Sequence, residues 1–404
     1  PINTNSNVLL GTDTTEKMAL EDTYEILVEN AQDLIYKVNK DGEFQFLNNR
    51  FTNYLPLDKN SYVGKKLTDI VPESHQAEVA QYFNQQMEGQ EKVSYFEFPI
   101  LDKEGNMTWI GQYMTLLHEI GYNKRITGWL ATGRDITDKR IKEQLITNQS
   151  QNIRDSINYA KRIQKNLMNS GTRFDDYFHE HAIVFKPKDV VSGDFYWCIR
   201  IGEQTIIAVG DCTGHGVPGA FMSIVAINLL NSIVITSQIT NPGLIMNELD
   251  IRLKAILANA DDTTFRDGIE LTICTLENNS NLFQYSCAGS KFIVHNTTSF
   301  DIFRGDLKHI GDEQEYFSSY VTNTVQLDPN STIYLFTDGC HDQFGGVHNK
   351  KFTMRRLIEM IAENINLPLK NQGTIFTQEF NAWKGSQDQT DDVTLVAIRP
   401  KNKI

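Results

Sequence analysis

Four aspartates in this chain share a setting that suits them for chemistry. Asp211 closes the apolar run IIAVGD that begins at Ile206, and Gly214, Gly216 and Gly219 follow before a long apolar helix segment takes over. That order reads as a strand, a tight loop and a helix, with glycines that let the backbone come close to whatever it binds. Asp194 (in VSGD), Asp338 (in FTDG) and Asp391 (in QTDDVTL) also stand at the start or end of an apolar strand segment beside a turn. Strand-end carboxylates from distant parts of a chain can converge on one edge of a sandwich, where like charges repel unless cations lie between them. Hard oxygen ligands without an accompanying histidine and cysteine set favour Mg²⁺ or Mn²⁺ over zinc. One such aspartate means little, whereas four in the same setting point to a two-metal site.

The elements that must position these residues occupy roughly 175–400. Strand segments are expected at 182–185, 195–201, 205–209, 270–276, 282–287, 292–295, 331–338 and 391–398, with helices at 219–237, 242–259, 351–361 and 374–383. Many strands with paired long helices predict two sheets stacked face to face and covered outside by helices. The chain of 404 residues has room for two or three domains, and its apolar fraction of 40% is ordinary for a folded protein. Its 51 acidic against 38 basic residues give a net charge of −13, which together with the lack of a long basic run disfavours nucleic-acid binding. Five cysteines without a C-x-x-C pair suggest a reducing, cytoplasmic setting. The longest apolar run, 224–235, is broken by Asn228, Asn231 and Ser232 and falls short of the about 20 residues a bilayer requires, so no membrane span is expected. No secretory signal opens the chain, and residues 1–19 read as a flexible segment, consistent with the cut end of something longer.

Between about 20 and 136, strand signals alternate with shorter helical pieces. A hairpin is expected around Asp41-Gly42, and a three-strand meander at 93–100, 107–117 and 125–133 closes the unit. This segment resembles a PAS domain, most specifically at GRDITD (Gly133 to Asp138), which is similar to that family's closing signature leading into an output helix. The resemblance implies a sensory or dimerising role, with the ligand unknown. His75 reads as a surface or capping histidine in preference to a haem ligand, and the stretch lacks the cysteine expected of a flavin photosensor. Residues 137–170 form a helical linker: Ile146, Ile153, Ala160 and Leu167 recur every seven residues, as in a coiled coil. So thin a stripe suits pairing with a second copy of the chain or packing on a neighbouring domain, while Ser150 and Gln164 interrupt the seam.

The motifs VVSGDFYW (from Val190), VGDCTGHGVPGAFM (from Val209), YLFTDGCHDQFGG (from Tyr334) and QTDDVTLVAIR (from Gln389) resemble those of the SpoIIE-like branch of the PPM (protein phosphatase 2C-like) serine/threonine phosphatases. The fold class expected is therefore α+β: a PAS sensory domain at 20–136, the linker at 137–170, and an α-β-β-α sandwich phosphatase domain at 175–400. The resemblance implies two Mn²⁺ or Mg²⁺ ions. Asp211 would bridge both, the Cys212 backbone carbonyl would hold the second, and Asp338 and Asp391 would complete the first. Asp194 would hold a metal-bound water from behind the direct ligands. Asp392 either assists or caps its strand, since adjacent strand residues point to opposite faces. His215, in the glycine-rich loop, is either a general acid for the leaving oxygen or a shaper of the turn, and His341 could reach the cleft mouth. Lys188 either attracts phosphate or is simply solvated, and no arginine is placed for bidentate phosphate capture.

The segment CAGSKF (Cys287 to Phe292) departs from the family, which more often carries an asparagine-rich turn there, and 303–320 matches it poorly. Neither touches a predicted metal ligand, and both are expected to affect substrate recognition or regulation more than the hydrolytic core. The expected reaction is hydrolysis of a phosphoserine or phosphothreonine ester by metal-activated water, on a protein partner that the family implies is a STAS-type anti-sigma-factor antagonist. Its catalytic residues would be Asp211, Asp194 and His215. Helices in 219–259 resemble the switch element of this branch. The competing readings are a silent binding module with the same fold, and a PAS-coupled nucleotide cyclase or phosphodiesterase.

Overall fold

Period-two burial along the strands decides which face each one presents. The computed structural model describes residues 9–401 apart from 90–92, 120–124, 170–172, 259–267, 279, 298 and 313–318, and the chain divides into two units, Pro1–Gln151 and Asn152–Ile404.

In the first unit, helix α1 (Leu9–Glu29) and strands β1 (Leu34–Asn39) and β2 (Phe44–Leu47) are followed by short 3₁₀ turns and α2 (Glu73–Gly89). Strands β3 (Val93–Leu101), β4 (Met107–His118) and β5 (Ile126–Asp135) complete a sheet in the order β2-β1-β5-β4-β3. Leu34, Tyr36 and Val38 of β1 are buried while the residues between them are less so, as alternation demands. The β1–β2 turn places Gly42 at φ +77°, a conformation glycine adopts freely. Tyr36 packs edge-on against Phe44 and Phe51 with centroids 5.5 and 5.9 Å away. His75 packs edge-on against Trp109 at 5.6 Å. Helix α1 occupies part of the stretch read as a flexible segment, and residues 1–8 lie outside the described residues.

The GRDITD stretch forms a helix start: Asp135 Oδ1 accepts from the Thr137 N–H at 2.9 Å, and Thr137 Oγ1 accepts from the Trp109 N–H at 2.8 Å. Helix α3 (Thr137–Asn169) then runs unbroken for 33 residues. Ile146 and Ile153 are exposed in the single chain. Gln164, read above as a polar interruption of a seam, is instead buried within the second unit.

The second unit continues with α4 (Phe174–Tyr177), β6 (Phe178–Lys186), β7 (Phe195–Ile201), β8 (Gln204–Cys212), α5 (Gly216–Asn231) and α6 (Pro242–Leu257). Strands β9 (Ile269–Glu277), β10 (Leu282–Ala288), β11 (Lys291–Asn296), β12 (Ser299–Arg304), β13 (Asn323–Gln326) and β14 (Thr332–Phe336) follow. The chain ends through α7 (Gly339–Asp342), the small pair β15 (Phe344–Gly345) and β16 (Lys350–Lys351), α8 (Met354–Glu363), α9 (Leu369–Lys384) and β17 (Val393–Pro400).

Two five-stranded sheets result, β13-β10-β9-β8-β7 and β12-β11-β14-β17-β6. On β8, Ile207 and Val209 face inward with Ile333, Leu335, Val396 and Ile398 of the other sheet, whereas Ile206 and Ala208 face outward onto α5 and α6. On β14, Tyr334 and Phe336 face outward onto α8 and α9. The layers are therefore helix, sheet, sheet, helix, and each fully buried large apolar side chain contributes roughly 1.5–3 kcal/mol relative to exposure.

The expected length of the apolar run at 224–235 is corrected. Helix α5 continues through a π turn (Ser232–Thr236), so Gly216–Thr236 is one 21-residue helical segment whose most apolar 18-residue stretch has a mean hydropathy of 1.8, long and apolar enough by length and composition to cross a membrane. Asn228, Asn231 and Ser232 do not break it, because side-chain bonds satisfy the two asparagines: Asn228 donates back to Ile224 O at 2.9 Å and Asn231 accepts from Trp197 Nε1 at 2.9 Å. Its apolarity has a use inside the protein, since Ala226, Ile227, Leu230, Ile233 and Val234 are buried in the outer core beneath β8.

The first turn of α5 packs against the loops around it with no room for a side chain. A Cβ on Gly219 would lie 2.1 Å from the Gly214 carbonyl oxygen and 2.9 Å from Gly193 Cα. Gly219→Ala should destabilise the second unit by roughly 1–3 kcal/mol through overpacking. An unchanged urea midpoint, followed by tryptophan fluorescence, would show that the helix can move aside.

Candidate active site

Antiparallel pairing brings the four strand-end aspartates to one edge of the sandwich. Asp194 immediately precedes β7 and Asp211 lies at the end of its neighbour β8, in a pairing where Phe195 opposes Gly210. In the second sheet Asp338 follows β14 and Asp391 precedes its neighbour β17, where Phe336 opposes Leu395. Each sheet thus supplies two carboxylates from one end of a strand pair.

Asp194 ties the two sheets together. Its Oδ2 accepts from Thr337 Oγ1 at 2.6 Å and from Thr394 Oγ1 at 2.7 Å, both on the second sheet's side. Thr337 Oγ1 also accepts from the Thr394 N–H at 3.0 Å, so the three residues form one buried network. Burial drives the Asp194 carboxyl well above the usual carboxylate range, the two threonine bonds work against this, and the charges of Asp392 and Asp391 reinforce it.

Asp211 is pushed up to about 10, first by burial and then by Asp194, Asp338, Asp391 and Glu270. Asp338 is raised by burial, then by Asp391 and Asp342, while a hydrogen bond with Asp211 and the charge of Lys291 pull it down. The four aspartates therefore act on one another. Glu270, opposite Asp211 across the β8–β9 pairing, is a fifth member and is raised chiefly by burial.

Among the described residues, no group of three or more His, Cys, Asp and Glu side chains has the spacing to hold a metal ion. The chemistry of the donors nevertheless fits a divalent cation. Asp194 Oδ1 and Asp338 Oδ1 are buried acceptors without a hydrogen-bond partner. Carboxyls that hold protons because they are buried beside anionic neighbours release them to a cation, which neutralises both effects.

The other candidates separate. Cys212 is buried at the end of β8, and its carbonyl oxygen faces Gly193, 3.0 Å from where a Cβ there would stand. Asp392 accepts from the Lys188 N–H and the Gly193 N–H, both at 2.7 Å, and so clamps the loop before Asp194. Lys188 takes part in that clamp through its backbone. His215 is half-exposed, and its Nδ1 pairs with Asp189 Oδ2 at 2.7 Å. His341 lines the cleft with Asp211, Glu270 and Asp338.

The sequence reading missed Thr337, Thr394, Glu270 and Lys291. The two threonines lie inside the quoted motifs, where a hydroxyl in an otherwise apolar strand was the available signal. Glu270 is a charge in an apolar strand, and only pairing reveals that it faces Asp211. The CAGSKF segment, expected to bear on substrate recognition or regulation more than on the hydrolytic core, brings Ser290 and Lys291 to line the same cleft as Asp211 and Asp338.

Residues 201–401 match the family model of stage II sporulation protein E (SpoIIE), a span that includes Asp211, Asp338 and Asp391, and residues 28–141 match a PAS fold model. The SiaA-PP2C domain of Pseudomonas aeruginosa is similar at 28% identity, covering 63% of this chain and 99% of that one with a TM-score of 0.57. Phosphoserine phosphatase RsbU of Bacillus subtilis (strain 168) is 23% identical over 270 residues, 64% of this chain and 74% of the relative.

A pH dependence follows for the metal-free chain. Asp211 has an ordinary value of 3.8 and a folded value of about 10, so between these the folded state binds more protons than the unfolded one. Stability should therefore fall as pH rises from about 5 to about 8, and Asp211→Asn should flatten that slope. Urea midpoints with a chelator present test this, and a slope unaffected by the substitution would contradict it.

Proposed function

Since the chain joins a PAS-fold domain to a SpoIIE/PP2C-like serine/threonine phosphatase domain, we propose that it removes phosphate from phosphoserine or phosphothreonine on a protein in a divalent-metal-dependent reaction under control of the PAS unit. The observation that carries this reading is the convergence of carboxylates from both sheets, each raised by burial and by its acidic neighbours. Asp211, Asp338 and Asp391 would hold Mn²⁺ or Mg²⁺, with the Cys212 carbonyl as a further ligand. Ions bound there would supply an acidified water and neutralise charge on the phosphoryl oxygens.

The chain's own groups have distinct tasks. Asp194, fixed through Oδ2 by two threonines, keeps Oδ1 as an acceptor able to orient water in the cleft. Asp392 holds the 188–193 loop through two backbone bonds. His215, paired with Asp189, fastens the glycine-rich loop to that same segment, which favours its structural role over that of general acid.

A small STAS-type phosphoprotein is the proposed substrate, a reading supported by the family resemblance, while similarity to the phosphoserine phosphatase RsbU supports the phosphoserine ester. Control through α3 is supported by Gln164. Its Nε2 donates to Ser192 O at 2.6 Å and to Ser223 Oγ at 2.9 Å, so one linker side chain touches both the loop before Asp194 and helix α5. Exposed Ile146 and Ile153 on the same helix suit pairing with a second copy of the chain.

Phosphate release from phosphoserine proteins should require Mn²⁺ or Mg²⁺ and fall roughly 100-fold or more in Asp211→Asn. Metal-independent turnover, or turnover of nucleotides alone, would overturn the assignment. Removal of residues 1–136 should change the rate, and identical rate and metal dependence would exclude control by the PAS unit.

A further inference from the structure

We infer that Lys291, anchored by His341, is the cation that receives the substrate's phosphoryl group at the carboxylate cleft, an inference that rests on the phosphatase reading. Lys291 opens β11, which is paired on one side with β12 and on the other with β14, so its backbone is held on a rigid element. It lines the cleft beside Asp211, Glu270 and Asp338. Its charge is felt at both Asp338 and Glu270, which places the ammonium within electrostatic reach of the carboxylate cluster.

The ammonium is bonded to an imidazole and not to a carboxylate: Lys291 Nζ lies 2.8 Å from His341 Nε2. His341 is buried, and because an ammonium can only donate, its contact makes Nε2 the acceptor of a neutral ring. An ammonium has three donors, and His341 occupies one of them. The neighbouring Ser290 hydroxyl is already engaged with Thr272 Oγ1 at 2.7 Å, and His309 lies against Glu270 at 3.4 Å. Lys291 is thus the group with charge and donors to offer a phosphate approaching an acidic cleft. It also fills the place for which the sequence offered no arginine. A lysine binds phosphate as a point charge without the two-pronged geometry of arginine, so its contribution should appear in binding more than in the chemical step.

The test uses the full chain with Mn²⁺ and a phosphoserine protein that the wild type dephosphorylates. Lys291→Met should raise KM about ten-fold with a smaller change in kcat, and Lys291→Arg should recover most of the loss. Independently of turnover, relaxation of the orthophosphate ³¹P signal by bound Mn²⁺ should show phosphate affinity weakened about ten-fold in Lys291→Met, with Mn²⁺ affinity by calorimetry little changed. His341→Gln should shift KM in the same direction by a smaller factor. If Lys291→Met fails to fold by circular dichroism, Lys291→Gln replaces it in both measurements. A folded variant with wild-type KM and phosphate affinity would overturn this inference alone, whereas a wild type that releases no phosphate from any phosphoprotein would overturn the phosphatase reading beneath it.

Discussion

Repulsion among carboxylates gathered at one edge of two stacked sheets is the constraint on which the second unit is built. Asp194, Asp211, Asp338 and Glu270 are each raised by burial and by nearby carboxylates, an arrangement a protein tolerates only if the surrounding structure holds it in place. Asp194 is central to that restraint. It stands at the edge of one sheet but is bonded to two hydroxyls of the other, so the relative position of the sheets and the position of the carboxylates are set by the same contacts.

Backbone proximity supplies the remaining support. Gly219 lets α5 begin against the Gly214 carbonyl, and a Cβ on Gly339 would stand 1.9 Å from the Asp392 carbonyl oxygen. The turn carrying Asp338 and the strand end carrying Asp391 and Asp392 are thereby pressed together. Asp392 in turn clamps the loop before Asp194. A displacement at any one of these points is transmitted to the others, because close backbone approaches at Gly219 and Gly339 and a buried two-oxygen clamp at Asp392 leave little room to relax.

Helix α5 serves both the core and this network. Its apolar face fills the layer beneath β8, while Ser223 on the same helix meets Gln164 of α3. A buried amide that bonds to a carbonyl and a hydroxyl has one satisfied arrangement, and leaving its partners unpaired in a buried site is costly. Gln164 thereby ties α3 to the loop that leads into Asp194.

Much of the architecture was legible because strand and helix periods are local properties. Unbroken apolar runs at Ile206 to Val209 and at Ile333 to Phe336 identified strands buried on both faces, and the turn residues beside Asp194, Asp211, Asp338 and Asp391 placed those carboxylates at strand ends. The sequence alone therefore determined the layered α+β class and which acidic residues lie at sheet edges. Only the tertiary structure decided that Thr337 and Thr394, 143 and 200 residues from Asp194, hold its carboxylate. The same holds for His215 turning to Asp189, Asp392 clamping a loop, Glu270 facing Asp211 and Lys291 resting on His341. These contacts depend on strand order and register across the chain, which no local pattern of residues encodes.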